Sequence, residues 1–308
     1  MTTPLVSIVI PAYKAGRYIT TTLASVRAQT HTRWELLICE DGIFDDTAEQ
    51  VKTFAANTTN PVRFFQNPKN LGVSQTRNRL LDASQGDFIA FLDADDLWTP
   101  DHLAHSLATM EAEHTDWIIG GLNRIDSLGH FTEQGILPPV ISPQEMPTQL
   151  LSYNFILPSG MVTRAKVFGQ GLRFDTHLSV GEDLDLCIQI VETGHKASFS
   201  RKATLNYRKH PASATGEPAR FSEGMAQLYA KHLRDPAVDQ AFCLHCLIDS
   251  LTNTARLTRK TQAARCRKAA RQLIGLRPWH PIGWFYYLAS FASPTTLNES
   301  QKKRLNLG

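Results

Sequence analysis

Apolar positions along the chain fall into short runs separated by amphipathic stretches. Leu5 to Ile10 is a β-branched run closed by Pro11, and Trp34 to Cys39 and Phe88 to Leu92 are two more compact runs. Runs this short, without polar alternation, mark strands buried on both faces of a parallel sheet. Between the first two, Ile19, Leu23 and Val26 recur at spacings of four and three, which predicts a helix within 18–29. Helices are likewise expected over 47–56, 74–84, 101 to about 113, and 182–192, where Leu184, Ile188 and Val191 share a face. Further strands are expected at 62–66, 116–120 and 196–207. Strand alternating with helix predicts an α/β fold with a doubly wound, mostly parallel sheet, and in such sheets ligands bind beyond the carboxyl ends of the strands. Residues following Ile10, Cys39 and Leu92 should therefore line one crevice.

Regularity fades after that. The Pro-rich stretch 137–147 predicts a connection, 208–224 reads as a mobile loop, and the chain beyond Phe221 reads as mostly helical. The expected organisation is a catalytic domain over 1–220 and a helical extension over 221–308.

The crevice positions carry polar or acidic side chains. Phe91-Leu92-Asp93-Ala94-Asp95-Asp96 places three carboxylates within four residues after a buried strand. Like charges this close raise one another's pKa unless a cation or hydrogen-bond donors neutralise them. Oxygen ligands suit Mg²⁺ or Mn²⁺, which are commonly held by one or two carboxylates together with substrate phosphates. Without a cation, the same acids read as a solvated turn capping the next helix. Gly181-Glu182-Asp183-Leu184-Asp185 opens a helix, where the macrodipole favours ionised carboxylates and where an acid in a cleft can accept a proton from an attacking hydroxyl. Glu40-Asp41-Gly42 follows the second strand, a position from which an acid can bond a nucleobase N–H or a ribose hydroxyl. Gly169-Gln170-Gly171 meets Phe174 where a dinucleotide-binding fingerprint needs its third glycine, which argues against a nicotinamide enzyme.

Taken together these segments resemble the inverting family 2 glycosyltransferases of the GT-A fold. The resemblance rests on Ser7-Ile8-Val9-Ile10-Pro11-Ala12-Tyr13, on Leu23 to Thr30 with its Ser-x-x-x-Gln-Thr ending, and on Asn70-Leu71-Gly72-Val73-Ser74 with Arg77-Asn78. It extends to Asp93-Ala94-Asp95-Asp96 as a D-x-D, to Gly181-Glu182-Asp183 as an E-D motif, and to Tyr207-Arg208-Lys209-His210. It implies a Rossmann-like sheet flanked by helices, with Pro11 and Tyr13 shaping the nucleobase pocket, Asp41 on the base, Arg77 reaching the nucleotide and Asp93 against the ribose. It further implies Asp95 and His210 at a Mn²⁺ or Mg²⁺ ion, Asp183 as the base that deprotonates the acceptor, and Asp96 and Glu182 near the donor or acceptor sugar. The donor would be a nucleotide sugar, with UDP the expected nucleotide, and the acceptor a glycan or lipid-linked glycan of cell-surface polysaccharide. One departure is the reading Glu40-Asp41-Gly42-Ile43-Phe44-Asp45-Asp46, where Ile43 makes the loop more apolar than the family's usual Gly-Ser sequence. A nucleotide-sugar-binding module without activity and a membrane adaptor are the rival readings, and the joint presence of Asp95 and Asp183 favours the enzyme.

Charge changes the picture at the other end. The net +3 conceals eleven Lys/Arg against the single acid Glu299 from Arg256 onward, a tail of +10 on a remainder of −7. Its bases interleave with Leu257, Ala264 and Leu273, and Trp279, Trp284, Phe285, Tyr286 and Tyr287 follow. Basic residues beside interfacial aromatics suit an anionic membrane surface; a solvated basic helix is the plainer reading, and no nucleic-acid partner is expected. No run approaches the ~18 apolar residues of a membrane span, and the six-residue run at Leu5 is too short for a secretory signal, so a cytoplasmic protein, peripheral at most on the inner face of the cell membrane, is expected. Five scattered cysteines do not form a disulfide framework, and Cys243-x-x-Cys246 lacks the second pair of a zinc site, which leaves buried helix thiols as the expectation.

Overall fold

The computed structural model describes residues 3–42, 45–152, 155–210 and 217–291. The chain forms two compact units, Met1–Pro211 and Ala212–Gly308. The helix expected beyond Phe221 opens at Pro218, whose fixed φ suits a first helical turn.

The first unit contains, in order, β1 (Val6–Ala12), α1 (Ile19–Arg27), β2 (Trp34–Asp41), α2 (Thr47–Ala56), β3 (Val62–Asn67), α3 (Val73–Ala83), β4 (Phe88–Phe91), β5 (Leu97–Trp98), α4 (His102–Ala112), β6 (Trp117–Ile125), β7 (Phe131–Ile136), α5 (Met146–Ser152), β8 (Met161–Arg164), α6 (Glu182–Glu192) and β9 (Ala197–Arg208). The sheet order is β3-β2-β1-β4-β8-β6-β9-β5, with β7 on β6. The half from β3 to β4 is parallel throughout, and β1, β2 and β4 within it match the three double-sided apolar runs. β8 then runs antiparallel to both β4 and β6, and β5 and β7 add antiparallel edges, whereas β6 and β9 pair in parallel.

Burial explains the parallel half. Every residue of β2 is buried, and Ile8, Ile10, Leu36 and Ile38 lie with Leu23, Val26, Val51 and Phe54 in one core. Each such side chain contributes roughly 1.5–3 kcal/mol when removed from water. The one acid inside β2 apart from its carboxyl end, Glu35, is tied by the Ser7 hydroxyl (2.5 Å), the Gln85 N–H (2.7 Å) and the Arg63 guanidinium (2.8 Å), which satisfies a charge that would otherwise be costly. On the other side, Gly120 of β6 passes so close to Gly160 that a Cβ would sit 2.5 Å from the Gly160 carbonyl oxygen. Backbone cannot yield as a side chain can. Gly120→Ala is therefore expected to cost about 1–3 kcal/mol, the range for overpacking, measured by chemical denaturation of the two proteins.

The second unit is helical: α7 (Pro218–His232), α8 (Gln240–Thr258), α9 (Ala263–Leu276) and α10 (Pro281–Ala289). Its Cys243 is buried on α8 and donates to the Tyr229 carbonyl at 3.1 Å, and burial pushes the thiol up to about 11, as expected of an inert helix cysteine. All five cysteines are free. Among the described residues no helix is long and apolar enough to cross a membrane.

Candidate active site

The carboxyl ends of β1, β2 and β4 carry the loops predicted to form the crevice. After β1, Tyr13 is exposed with the Lys14 ammonium 5.4 Å from its ring centroid, and Lys14 itself adopts φ 51°. Pro11 is half-buried at the end of the strand. Gly16 lies close under the next loop, where a Cβ would fall 1.7 Å from an Asp46 carboxylate oxygen and displace that side chain, and the Gly16 N–H donates to Asp45 at 3.0 Å. Ile43 and Phe44, where the sequence departs from the family pattern, lie outside the described residues.

Asp41, expected on the nucleobase, is buried at the end of β2 and organises the next loop. One carboxylate oxygen accepts from Asn67 Nδ2 and from the Leu71 N–H, both at 2.8 Å, and the other accepts from the Gly72 N–H at 2.9 Å. Gly72, at φ 90°, turns the chain into α3. This explains why Asn70-Leu71-Gly72 precedes a helix without a side-chain cap: the acid of the neighbouring strand does that work.

From α3, Arg77 joins two acidic loops. Its side chain, 3% exposed, meets Asp93 at 2.7 Å and Glu182 at 2.9 Å, with Phe174 stacked 5.2 Å from the guanidinium. Burial opposes its charge, but Asp93 and Glu182 hold it above the usual arginine value. Arg77, expected to reach the nucleotide, is placed with one terminal nitrogen on Asp93 and the other on Glu182, which fixes the two acidic loops relative to each other. Asn78 on the following position pins Phe174 with a pair of bonds, 2.8 and 2.9 Å, side-chain amide to backbone.

The three aspartates after β4 have three environments. Asp96, expected near a sugar, is 1% exposed: the Ser159 hydroxyl donates to one oxygen at 2.6 Å and the Arg208 N–H to the other at 2.8 Å. Ser159 also accepts from the Asp93 N–H at 3.0 Å. Asp96 is thus a brace inside the turn, and burial, with the charges of Asp95 and Asp93, pushes its pKa well up. Asp95 remains partly accessible, with its carboxylate 2.8 Å from His210 Nε2. Burial and the Asp93 charge raise its pKa, and His210 opposes the shift. Asp93 keeps one face open beside Arg77.

At the start of α6, Gly181 at φ 80° admits the chain to the helix, and Glu182 and Asp183 follow. Asp183 is pushed up to about 7 by burial and then by Glu182, against the pull of the Leu184 N–H at 2.8 Å and of Arg77. A carboxylate poised near neutrality is suited to take a proton from a hydroxyl.

Sequence reasoning missed Arg208, Ser159 and Tyr18. Arg208 ends β9, donates from Nε to the Asp95 carbonyl at 2.7 Å, and stacks on Tyr18 at 4.8 Å; the Tyr18 ring in turn lies 5.1 Å from His210. The motif Tyr207-Arg208-Lys209-His210 was the available signal for Arg208. Ser159 had none. Tyr207, pushed up to about 12 by burial and by Asp96, Asp95 and Asp93, also lines a cleft with Leu122, Arg124, Phe155, Leu157 and Lys209.

Among the described residues no three His, Cys, Asp or Glu side chains converge on a preformed cation site. The donors present nevertheless suit a hard divalent ion: a partly accessible carboxylate whose charge is destabilised by its neighbour, with an imidazole nitrogen beside it.

Comparison with known proteins bears on this geometry. The chain is 31% identical over 153 residues to the UDP-Glc:alpha-D-GlcNAc-diphosphoundecaprenol beta-1,3-glucosyltransferase WfgD of Escherichia coli, covering 50% of this chain and 55% of that protein. Across the first curated relatives matched, the chain spans between about a quarter and a little over half of their length. In fold it resembles S. aureus TarS 1-349 solved with UDP-GlcNAc (TM-score 0.64, 19% identity, 97% of this chain and 91% of that one). It also resembles the mannosyltransferase PcManGT of Pyrobaculum calidifontis solved with GDP-Man and Mn²⁺ (TM-score 0.61, 16% identity, 95% and 87%). These likenesses establish the GT-A fold, and the profile of "Glycosyl transferase family 2" matches residues 7–172, more than half of the chain. The chain belongs to glycosyl transferase family 2.

Proposed function

We propose that this protein transfers a sugar from a nucleotide-diphosphate donor, a UDP-sugar, to a hydroxyl of a glycan or lipid-linked glycan, with inversion at the anomeric carbon, in the synthesis of cell-surface polysaccharide. The observation that carries the reading is Asp183, a carboxylate raised to about 7 at a helix start and coupled through Glu182 and Arg77 to the Asp93 loop. Asp183 takes the proton of the acceptor hydroxyl as that oxygen bonds to the anomeric carbon, and the bond to the nucleoside diphosphate breaks on the opposite side. Single displacement inverts the centre. Asp95 and His210 would hold Mn²⁺ or Mg²⁺, which when bound supplies charge stabilisation to the departing diphosphate.

Around that step, Pro11 and the exposed Tyr13 shape the nucleobase side, Asp41 sets the loop against which the base lies, and Asp93 lies against the ribose. The cleft of Tyr207, Arg124 and Lys209 receives the acceptor. The UDP and diphosphoundecaprenol named for the relatives support this choice of donor and of a lipid-linked acceptor. A site of action on the cytoplasmic, inner face of the cell membrane follows from that acceptor.

Thermal-shift measurements with UDP-, GDP-, CMP- and dTDP-sugars, each with and without Mn²⁺, test the donor. A UDP-sugar at ~100 times its metal-free Kd should stabilise the protein by about 2.7 kcal/mol, and the same concentration should stabilise it more with Mn²⁺ present. Stabilisation by none of the four, or an NMR spectrum of the product showing retained anomeric configuration, overturns the reading.

A further inference from the structure

We infer that the α9–α10 face of the C-terminal unit docks on an anionic lipid bilayer. This extends the inner-membrane placement proposed above and stands apart from the catalytic reading, since it uses none of the active-site residues.

α10 is apolar around its whole circumference, the pattern of a helix enclosed by other protein. It buries only Gly283, where a Cβ would come within 3.3 Å of Leu273 and Ile274 of α9. Trp284 (45% exposed), Phe285 (55%) and Leu288 (64%) are left bare, as are Trp279 before the helix (92%) and Phe291 after it (54%). Apolar surface gathered in this way marks an interaction site rather than ordinary surface scatter.

The charges around it select the partner. Residues 256–291 contain eight Lys/Arg and no Asp or Glu. Arg265 turns toward Glu217 and Glu223, whereas Arg259, Arg267 and Arg271 lie 5.9, 5.1 and 5.5 Å from the rings of Phe285, Phe291 and Tyr287. Basic groups are thus fixed at the margin of the apolar surface, with Lys260 and Lys268 exposed nearby. A bilayer with anionic head groups meets both demands at once: apolar side chains enter the acyl boundary, Trp and Tyr sit at the interface, and bases meet phosphate. A second copy would set one cationic patch against another. The segment beyond Phe291 carries Lys302, Lys303 and Arg304 against Glu299, the same sign as the patch. RNA would satisfy the charge but leave Leu288 and Ile282 uncovered.

The test is co-sedimentation of the full chain with phosphatidylglycerol/phosphatidylcholine vesicles and with phosphatidylcholine alone, together with tryptophan emission. Binding to the anionic vesicles, a blue shift, and a loss of about tenfold or more in affinity in raised salt are expected. Trp284→Ser with Leu288→Ser should weaken binding about tenfold or more, as should Lys260→Glu with Lys268→Glu, and both variants should keep the donor-induced thermal shift, which shows them folded. Equal binding to neutral vesicles, or none to either, overturns the inference. So does Trp284→Ser/Leu288→Ser binding as wild type, abolishing a concentration-dependent dimer instead, or leaving a tighter RNA complex intact. If a chain ending at Phe291 binds vesicles and the full chain does not, the terminal segment is the true cover. Failure of donor binding in the wild type with vesicle binding retained would sink the catalytic reading alone.

Discussion

Asp183→Asn is expected to leave nucleotide-sugar binding intact and to lower turnover by at least ~10², the lower end of what general-base catalysis supplies. The amide oxygen can still accept from the Leu184 N–H, so the start of α6 keeps its shape, but it cannot take the acceptor's proton. With Asp183 raised to about 7, the wild-type rate should climb with pH through about 7 and fall away below it, because only the ionised form is a base. Glu182 is the charge that pushes Asp183 up after burial, so Glu182→Gln should move that acidic limb to lower pH. Stability has the opposite sign. A carboxyl whose folded value lies above its ordinary 3.8 binds its proton more tightly in the native state, so folding loses stability as pH rises from about 4 to about 7. Asp183→Asn removes that loss and should melt higher than wild type at pH 8, a trade of function against stability. Full activity in Asp183→Asn, or a pH profile flat across neutrality, would remove Asp183 as the base.

The parallel half of the fold was legible because β1, β2 and β4 are buried on both faces, which writes them as short, mostly apolar runs, Leu5–Ile10 and Trp34–Cys39 each carrying a single polar residue, Ser7 and Glu35. What followed was not. β7 is exposed along nearly its whole length and β5 has only two residues, so neither leaves a burial pattern to read. β8 is four residues long and antiparallel to both neighbours, a pairing that no local spacing encodes.

At the site, the motifs mark loops that Arg77 draws together, but not which partner each side chain takes. Asp93, Asp95 and Asp96 are alike in sequence, yet Asp93 meets Arg77, Asp95 meets His210 and Asp96 is enclosed by Ser159 and Arg208. Partners 16 to 115 residues away decide this, and the chain offers no local sign of them. Arg77 shows the same limit from the other side: one helical residue fixes two acidic loops, 16 and 105 residues distant, into one geometry.

That division of labour among the aspartates carries the second large expectation. Asp95→Ala should reduce turnover by at least ~10² and abolish the response to Mn²⁺, since it removes a hard oxygen donor from the proposed cation site, where a bound ion supplies several kcal/mol of transition-state stabilisation. The fold should survive. The contact that ties position 95 to β9 is its backbone carbonyl, which accepts from Arg208 Nε and is unchanged by the substitution. The side-chain bonds that hold the turn belong to Asp96. Asp95 also raises the pKa of Asp96, so its removal relieves like-charge repulsion inside the turn, and the melting temperature without metal should stay level or rise. His210, left without its carboxylate, should then bind Mn²⁺ too weakly for the ion to raise the donor-induced thermal shift. Titrating Mn²⁺ against both turnover and thermal shift in wild type and Asp95→Ala separates the possibilities. An unchanged Mn²⁺ response in the variant would move the cation away from Asp95, whereas collapse of the metal-free fold would make Asp95 structural.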